Sequence, residues 1–175
     1  MGKLEQALLE LFGEKYEYHM SNPFTVVKID LEDSLLQEIT SIEALAVFRE
    51  LTHLNISGLG IRDITPLKKL KKLQVLYADF CSITDIKPLA ELYELRELDI
   101  SSPLNSIKTI EPLRQLKNLE KLYIPDHQIK TLKPILNLKN LQVLSIAKTF
   151  IPMDEIEEFK LLNPNCEVWL GCRLE

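Results

Sequence analysis

Two features that the chain lacks exclude whole classes of partner. No stretch of the 175 residues approaches the roughly 18 to 20 consecutive apolar residues that a membrane-spanning helix needs. Acidic residues outnumber Lys and Arg by 26 to 21, which gives a formal net charge of −5, whereas a nucleic-acid-binding surface needs excess basic side chains to displace counterions from phosphates. We therefore expect neither a membrane nor a nucleic acid as partner. A protein with a basic surface fits the charge better.

Cysteine is also scarce. The three cysteines, Cys81, Cys166 and Cys172, are an odd number without a C-x-x-C pair, which favours a reducing compartment over a disulfide framework or a zinc site. Residues 1–6 include a glutamate and begin no long apolar run, so they do not resemble a secretory leader. These features predict a cytoplasmic protein. Cys166 and Cys172 become a candidate disulfide only if the chain is exported.

The sequence also lacks the motifs of common enzymes, such as a phosphate-binding loop or G-x-S-x-G. Its histidines fall in unrelated settings: His19 in a predicted loop, His53 on an exposed strand position and His127 in an inward-facing column. None pairs with a cysteine or carboxylate at ligand spacing. Carboxylates recur at Asp63, Asp85 and Glu111, where we expect them to cap short helical turns. We predict no enzymatic activity, no cofactor and no metal.

The chain contains instead a repeated apolar frame. Its central leucines follow one another at intervals of 22, 22, 24 and 22 residues: Leu54, Leu76, Leu98, Leu122 and Leu144. Each unit reads Leu-x-x-Leu-x-Ile, or Ala in place of Ile, and four units continue with a proline before the next apolar row: Pro66, Pro88, Pro112 and Pro134. Proline is tolerated in the first turn of a helical segment because its missing N–H would have no partner there. The pattern L-x-x-L-x-L-x-x-N/C-x-L is that of leucine-rich repeats.

The chain thus resembles leucine-rich repeat proteins of the short, 22-residue class over most of its length. It is similar to the repeat regions of internalins and to a phosphatase regulator with repeats of the same length. The resemblance implies an α/β fold, a right-handed β-α solenoid with a curved parallel sheet on its concave face. The ending Asn-Pro-Asn-Cys-x-Val is similar to that of bacterial intracellular members of the class. The resemblance implies a bacterial source.

We divide the chain as one domain with two caps: an N-terminal helical cap in residues 1–23, a diverged first repeat in 24–50, five regular units in 51–151 and a C-terminal cap in 152–175. Apolar spacing predicts a helix over residues 3–12 that ends at Gly13, and a second helix over 153–162. Alternation predicts strands in residues 24–31 and 166–170. Two extra residues within 101–106 form either a binding element or an accommodated irregularity.

The residues between the inward leucines should point outward onto the sheet, because strand side chains alternate. The central column then reads Asp30, Asn55, Tyr77, Asp99, Tyr123 and Ser145. Tyrosines give broad contacts with a polar tip, and carboxylates accept charge-assisted hydrogen bonds from Arg or Lys. Our candidate partner-binding residues are Asp30, His53, Asn55, Tyr77, Asp79, Phe80, Glu97, Asp99, Tyr123 and Asp126. The alternative is a solvated face with aromatics that merely suit strands.

We therefore expect a non-enzymatic module that binds a protein partner through the concave sheet and is a monomer when free. A narrower possibility is an inhibitor or immunity protein, because a small acidic protein can cover a basic active site. The resemblance also leaves open a regulatory subunit of a phosphatase or an exported adhesive module. Neither the partner nor its contacts can be carried over from the repeats, since the inward residues are common to the class.

Overall fold

Seven parallel strands form one sheet whose strand order is the order of the chain. The computed structural model describes residues 2–31, 39–103 and 107–171. Each strand has three residues: β1 Lys28–Asp30, β2 His53–Asn55, β3 Val75–Tyr77, β4 Glu97–Asp99, β5 Lys121–Tyr123, β6 Val143–Ser145 and β7 Glu167–Trp169. This architecture is an α/β leucine-rich repeat solenoid, as the repeat predicts.

The regular spacing of the leucines follows from the sheet register. The middle residue of each strand points inward and pairs with the equivalent residue of its neighbours, as in Leu76 with Leu98 and Leu98 with Leu122. In β1–β6 these middle residues are at most 1% exposed. Because each repeat brings a leucine back to the same inward place, the units share one continuous apolar core.

The chain returns between strands through short 3₁₀ turns, namely Glu43–Val47, Thr65–Lys69, Lys87–Leu89, Glu111–Leu113 and Lys133–Ile135. Asp63 Oδ1 accepts a hydrogen bond from the Thr65 N–H at 2.8 Å, and Asp85 Oδ1 accepts one from the Lys87 N–H at 2.9 Å. These bonds confirm the capping role predicted for the two aspartates.

The cap predicted at Glu111 was wrong. Glu111 lies two residues further along the turn than a capping side chain, and its own N–H donates to Thr109 Oγ1 at 3.2 Å. Its carboxylate pairs instead with Arg114 Nε at 2.6 Å. Thr109 therefore occupies the position that Asp63 and Asp85 hold in the preceding turns. Its hydroxyl caps the turn in place of a carboxylate.

The N-terminal cap contains more structure than the sequence indicated. Helix α1, Lys3–Phe12, places Leu4, Ala7 and Leu8 in the core, and the chain leaves it at Gly13 with φ 54°, as predicted. A second helix, α2, follows at Tyr16–Ser21, so His19 is helical rather than in a loop. The predicted strand over residues 24–31 was too long, because Pro23–Thr25 form a 3₁₀ turn and only Lys28–Asp30 pair as a strand.

The C-terminal cap is a helix followed by a strand, as predicted. Helix α3, Met153–Leu162, buries Ile156 and Phe159. The Glu155 carboxylate reaches back to the last 3₁₀ turn, where it accepts hydrogen bonds from Thr131 Oγ1 at 2.8 Å and the Leu132 N–H at 2.9 Å. The final strand β7 then pairs with β6. None of the three described helices has the length and hydropathy needed to cross a membrane.

The two-residue insertion falls only partly within the described chain. Ser102 is buried, and its hydroxyl donates to the Cys81 carbonyl at 3.0 Å. Residues 104–106, which hold the rest of the predicted irregularity, lie outside the described residues, as do Cys172 and the end of the chain. This hydrogen bond therefore joins the start of the insertion to the preceding repeat.

Candidate functional site

The outward residues of the strands form a continuous surface, which we call the sheet face. It consists of the first and third residues of β1–β7. The third residues are in register across the whole sheet: Asp30, Asn55, Tyr77, Asp99, Tyr123, Ser145 and Trp169. The first six match the predicted central column. Trp169 was not among the candidate binding residues, although extending the predicted register to the last strand would have found it.

A hydrogen-bonded network fixes the middle of the sheet face. The Tyr77 hydroxyl donates to Glu97 Oε1 at 2.9 Å, and Lys121 Nζ lies 3.2 Å from Glu97 Oε2. Burial, with the hydrogen bond to Glu97 as a second cause, raises the pKa of Tyr77 to about 12. Tyr77 therefore stays protonated at neutral pH and holds its ring in one place as a donor.

Asp99 lies between two tyrosines on the neighbouring strands, because Tyr77 and Tyr123 are its register partners. Its Oδ1 accepts hydrogen bonds from the Ser101 N–H at 2.9 Å and from the Ser101 hydroxyl at 2.5 Å. These two bonds orient the half-buried carboxylate on the sheet face.

Two aromatic rings close over the C-terminal part of the sheet face. The ring centroids of Tyr123 and Trp169 are 6.1 Å apart with an interplanar angle of 57°. Their strands are two positions apart, a separation of about 10 Å between backbones, so the rings lean toward each other across Ser145. Ser145 is only 7% exposed. The pair offers a partner a broad apolar shelf at low entropic cost.

The turns that follow the strands share an unusual backbone conformation. Four equivalent positions have positive φ: Gly58 at 74°, Phe80 at 56°, Asp126 at 61° and Lys148 at 54°. The Phe80 N–H donates to the Ser101 carbonyl at 2.8 Å, which holds the turn against the next repeat. The repeat geometry thus places a 65% exposed phenylalanine in a conformation that bulky residues rarely adopt.

Replacing Phe80 with glycine should raise the free energy of unfolding by about 1 kcal/mol. The left-handed backbone costs a residue with a Cβ about 1–2 kcal/mol, and the freer unfolded chain of glycine offsets part of that gain. Phe80→Ala is the control, because it keeps the Cβ and removes a mostly exposed ring; its stability should stay within about 0.5 kcal/mol of the wild type. Urea unfolding that gave equal stabilities for the two variants would contradict strain at Phe80.

The remaining predicted residues are spread over the same surface with different degrees of access. Asp30 and His53 are exposed on β1 and β2. Asn55 is 9% exposed, and its Oδ1 accepts a hydrogen bond from the Ser57 N–H at 3.0 Å. Its side chain therefore stabilises the turn after β2. Asp126 Oδ1 lies 3.2 Å from Lys148 Nζ. The half-buried aromatic and acidic groups therefore lie mainly on β3–β5 and at the Tyr123–Trp169 pair.

A buried column behind the turns has a structural role. Cys81 Sγ donates a hydrogen bond to the Ile56 carbonyl at 3.2 Å, and His127 Nε2 donates one to the Ile100 carbonyl at 2.7 Å. Burial raises the pKa of the Cys81 thiol to about 11, which keeps it protonated and unreactive at neutral pH. In the described residues no group of three His, Cys, Asp or Glu side chains converges as metal ligands.

A groove on the opposite side of the solenoid was not indicated by the sequence. It has a volume of about 580 Å³ and lies between two successive 3₁₀ turns. Its two acidic side chains are already engaged, Asp85 with the Lys87 N–H and Glu111 with Arg114. Its lining residues are Thr84, Asp85, Ile86, Lys87, Ala90, Lys108, Thr109, Glu111 and Pro112.

The family comparison agrees with the fold. Residues 71–115 match the family model for leucine-rich repeats in two copies. With the seven-stranded sheet and the repeated frame, this match identifies the architecture of the chain as that of leucine-rich repeats. Proteins of this kind are typically interaction modules without enzymatic activity. A search of the curated proteins finds no match.

Solved structures of bacterial proteins are similar to the chain. Internalin C2 from Listeria monocytogenes is 31% identical with a TM-score of 0.69, and the match covers 77% of this chain and 60% of that one. A second Listeria monocytogenes internalin, InlF, is 21% identical with a TM-score of 0.71, over 96% and 55%. A leucine-rich repeat protein from Leptospira interrogans is 25% identical with a TM-score of 0.70, over 82% and 36%. The chain thus spans less than two thirds of each.

Proposed function

We propose that the chain is a non-enzymatic protein-binding module and that the sheet face is its binding site. The observation that carries the proposal is the in-register row on β3–β7, where Tyr77, Asp99, Tyr123 and Trp169 present aromatic and acidic groups from rigid strands. Aromatic anchors of this kind supply much of the binding energy at protein interfaces. These side chains are half-buried in the free chain, which supports a surface that a protein partner can bury further.

The rigidity of the site supports binding with little rearrangement. Glu97 joins Tyr77 and Lys121, and Ser101 holds Asp99, so four side chains on the sheet face are oriented before a partner arrives. Fewer rotamers are then lost on binding, which lowers the entropic cost of association.

The charge of the surface supports a basic partner. Over the described sheet face and turns, six carboxylates stand against three lysines: Asp30, Asp79, Glu97, Asp99, Asp126 and Glu167 against Lys28, Lys121 and Lys148. Complementary charge speeds encounter and selects among partners. We further propose a single repeat domain that is monomeric when free and located in the cytoplasm, from a bacterial source. Light scattering of the purified protein and cell fractionation test the state and the location.

Alanine at Tyr77 or Tyr123 is expected to weaken capture of the partner about thirtyfold, which corresponds to the roughly 2 kcal/mol of an interface hot spot. The experiment is affinity purification from the native cell at low salt, followed by identification of the captured protein and titration against each variant. Low salt preserves charged contacts that screening would weaken.

Tyr93→Ala is the matched control. Tyr93 is a 53% exposed tyrosine outside the strands, so its loss should leave capture unchanged. A partner that binds the Tyr77 and Tyr123 variants as tightly as the wild type, or that loses affinity only for the Tyr93 variant, would place the interface elsewhere and overturn the proposal.

The narrower form of the proposal is an inhibitor or immunity protein, since an acidic face can occlude a basic active site. This narrower form predicts an additional result, namely loss of the captured partner's activity. If the partner is an enzyme or toxin, one equivalent of the chain should abolish its activity, and the Tyr123→Ala variant should do so only at higher concentration. An active enzyme within a saturated complex would favour a scaffold or regulatory subunit instead.

A further inference from the structure

The groove on the side away from the sheet lies where the repeat lengthens. It is bordered by the turns Lys87–Leu89 and Glu111–Leu113, which begin 24 residues apart, whereas the turns before and after them follow at intervals of 22 residues. Its volume is about 580 Å³, and Ile86, Ala90 and Pro112 give it an apolar lining. Concave, mostly apolar sites of roughly 300–1,000 Å³ are typical of small-molecule ligands. The groove therefore has the size and lining of a small-ligand site.

Two lysines stand side by side at the edge of this groove. Lys108 is one of its lining residues, and Lys130 is the equivalent residue of the next repeat. The Gln128 N–H joins the two segments by donating to the Ile107 carbonyl at 3.0 Å. Both lysines are exposed, and neither makes a hydrogen bond or ion pair with the described parts of the chain. Neighbouring like charges repel one another, and a bound anion relieves that repulsion.

A change of capping residue leaves these lysines without an acid next to them in the sequence. An aspartate caps each of the two preceding turns. Thr109 and Thr131 take that place directly after Lys108 and Lys130, and each threonine hydroxyl accepts a backbone hydrogen bond at 3.2 Å. Because a hydroxyl carries no charge, it satisfies the N–H of the turn without neutralising the lysine beside it.

The carboxylates of the adjoining turns and of α3 do not balance these two lysines either. Each has another cation within 4.0 Å: Asp85 with Lys87, Glu111 with Arg114, and Glu155 with Lys133. Lys108 and Lys130 therefore add a positive charge beside the groove, although the chain as a whole carries a net charge of −5. An apolar lining with a positive edge complements a ligand that has an apolar body and a negative end.

We propose that this groove is a second binding site, separate from the sheet face, and that it takes a small aliphatic carboxylate. The aliphatic chain lies against Ile86, Ala90 and Pro112, and the Lys108 ammonium binds the carboxylate with the charge of Lys130 beside it. Burial of the chain supplies most of the affinity, because exposed ion pairs contribute little. The lysines select an anion over neutral or cationic ligands of the same shape. The inference goes beyond the proposed function and does not depend on it.

The test is a titration of the full ¹⁵N-labelled chain with octanoate below its micelle concentration, followed by NMR at low salt. Octan-1-ol and octylamine are titrated in parallel as neutral and cationic probes with the same chain length. Saturable shifts for octanoate are expected at Thr84, Ala90, Lys108 and Lys130. Octanol should bind about fivefold more weakly, the effect of losing an exposed ion pair. Non-specific attraction to a chain of net charge −5 favours octylammonium instead, so a preference for octanoate reports the site.

Two variants separate the roles of the apolar lining and of the charge. Ala90→Phe places a ring in the groove and should weaken octanoate binding about tenfold, because the chain loses the surface that buries it. Lys108→Gln should weaken it about fivefold while leaving octanol binding unchanged. Lys160→Gln is the matched control, since Lys160 is an exposed lysine on α3 without an ion pair in the described residues; octanoate binding should stay at the wild-type value.

Several outcomes would overturn the inference: no saturable shift with octanoate, equally tight binding of octanol or octylamine, or unchanged octanoate binding by both the Ala90 and Lys108 variants. Should Ala90→Phe disturb the fold, Lys108→Gln still decides, because the Lys108 side chain makes no polar contact within the described chain. Tyr77→Ala should leave octanoate binding unchanged, and Lys108→Gln should leave partner capture unchanged. Failure of this inference is therefore distinguishable from failure of the proposed function.

Discussion

Replacing Phe159 with alanine is expected to lower the free energy of unfolding by about 4 kcal/mol, within the range of about 3–5 kcal/mol for deleting a buried phenylalanine ring. Phe159 is completely buried in α3, where it covers the end of the apolar core. The ends of a solenoid have a neighbour on one side only, so a cap that loses its anchor exposes the rows of the last repeat.

Leu161→Ala on the same helix is the control for this experiment. Leu161 is 80% exposed, and its replacement should change stability by less than about 0.5 kcal/mol. Urea unfolding followed by circular dichroism measures both variants. Hydrogen exchange should also show that the Phe159 variant loses protection first in β6 and β7, because β7 belongs to the cap and β6 pairs with it. Similar losses for the two variants would mean that α3 does not act as a cap.

Acid is expected to destabilise the wild type more than a His127→Thr variant, by up to about 1.4 kcal/mol for each pH unit below 6.5. His127 is fully buried, and its Nδ1 has no hydrogen-bond partner in the described chain. Burial lowers the pKa of His127, while its bond to the Ile100 carbonyl and the charge of Asp126 oppose this in part. The folded protein therefore resists protonation that the unfolded chain accepts.

The direction of this pH dependence follows from the difference in proton binding between the folded and unfolded states. Above pH 6.5 the imidazole is neutral in both states and the lowered pKa has no effect on stability. As pH falls below that value, the unfolded state binds more protons than the folded state, and stability is lost until the folded pKa is reached. Threonine occupies the equivalent place at Thr149, where its hydroxyl donates to the Ile146 carbonyl.

Urea unfolding between pH 7.5 and 4.5 compares the slopes of the wild type and the His127→Thr variant, with His53→Gln at an exposed strand position as the control. Carboxylates contribute equally to all three proteins, so the difference in slope isolates His127. Parallel pH profiles for the wild type and the threonine variant would show that the buried imidazole is not a source of acid sensitivity.

The sequence was sufficient to predict the repeat frame, because burial recurs with a fixed period. Leu54, Leu76 and Leu98 stack in register as the 22-residue spacing predicts. The same spacing predicts that Tyr77, Asp99 and Tyr123 lie side by side on neighbouring strands, and the register confirms it. Whether a partner binds there stays a prediction, because contacts outside the core are not constrained by the period.

Other features depend on interactions that the period does not report. Residues 16–21 have no strong apolar pattern, so the sequence predicts a loop at His19 where the structure has helix α2. Thr109 rather than Glu111 caps its turn, because a shift of two residues changes which side chain reaches the N–H. The positive φ of Phe80 follows from its place in the repeat, although the residue type favours an ordinary strand. At Phe80, therefore, the repeat geometry overrides the preference of the residue type.

The shortness of the strands limits how large a footprint the sheet alone can offer. Three residues span about 10 Å and seven strands about 29 Å, which encloses on the order of 300 Å² of flat area. A stable complex commonly covers about 800 Å² on each partner. A partner that binds firmly must therefore extend past the strand ends onto the adjoining turns, and the row of Phe80, Asp126 and Lys148 is the margin it meets first.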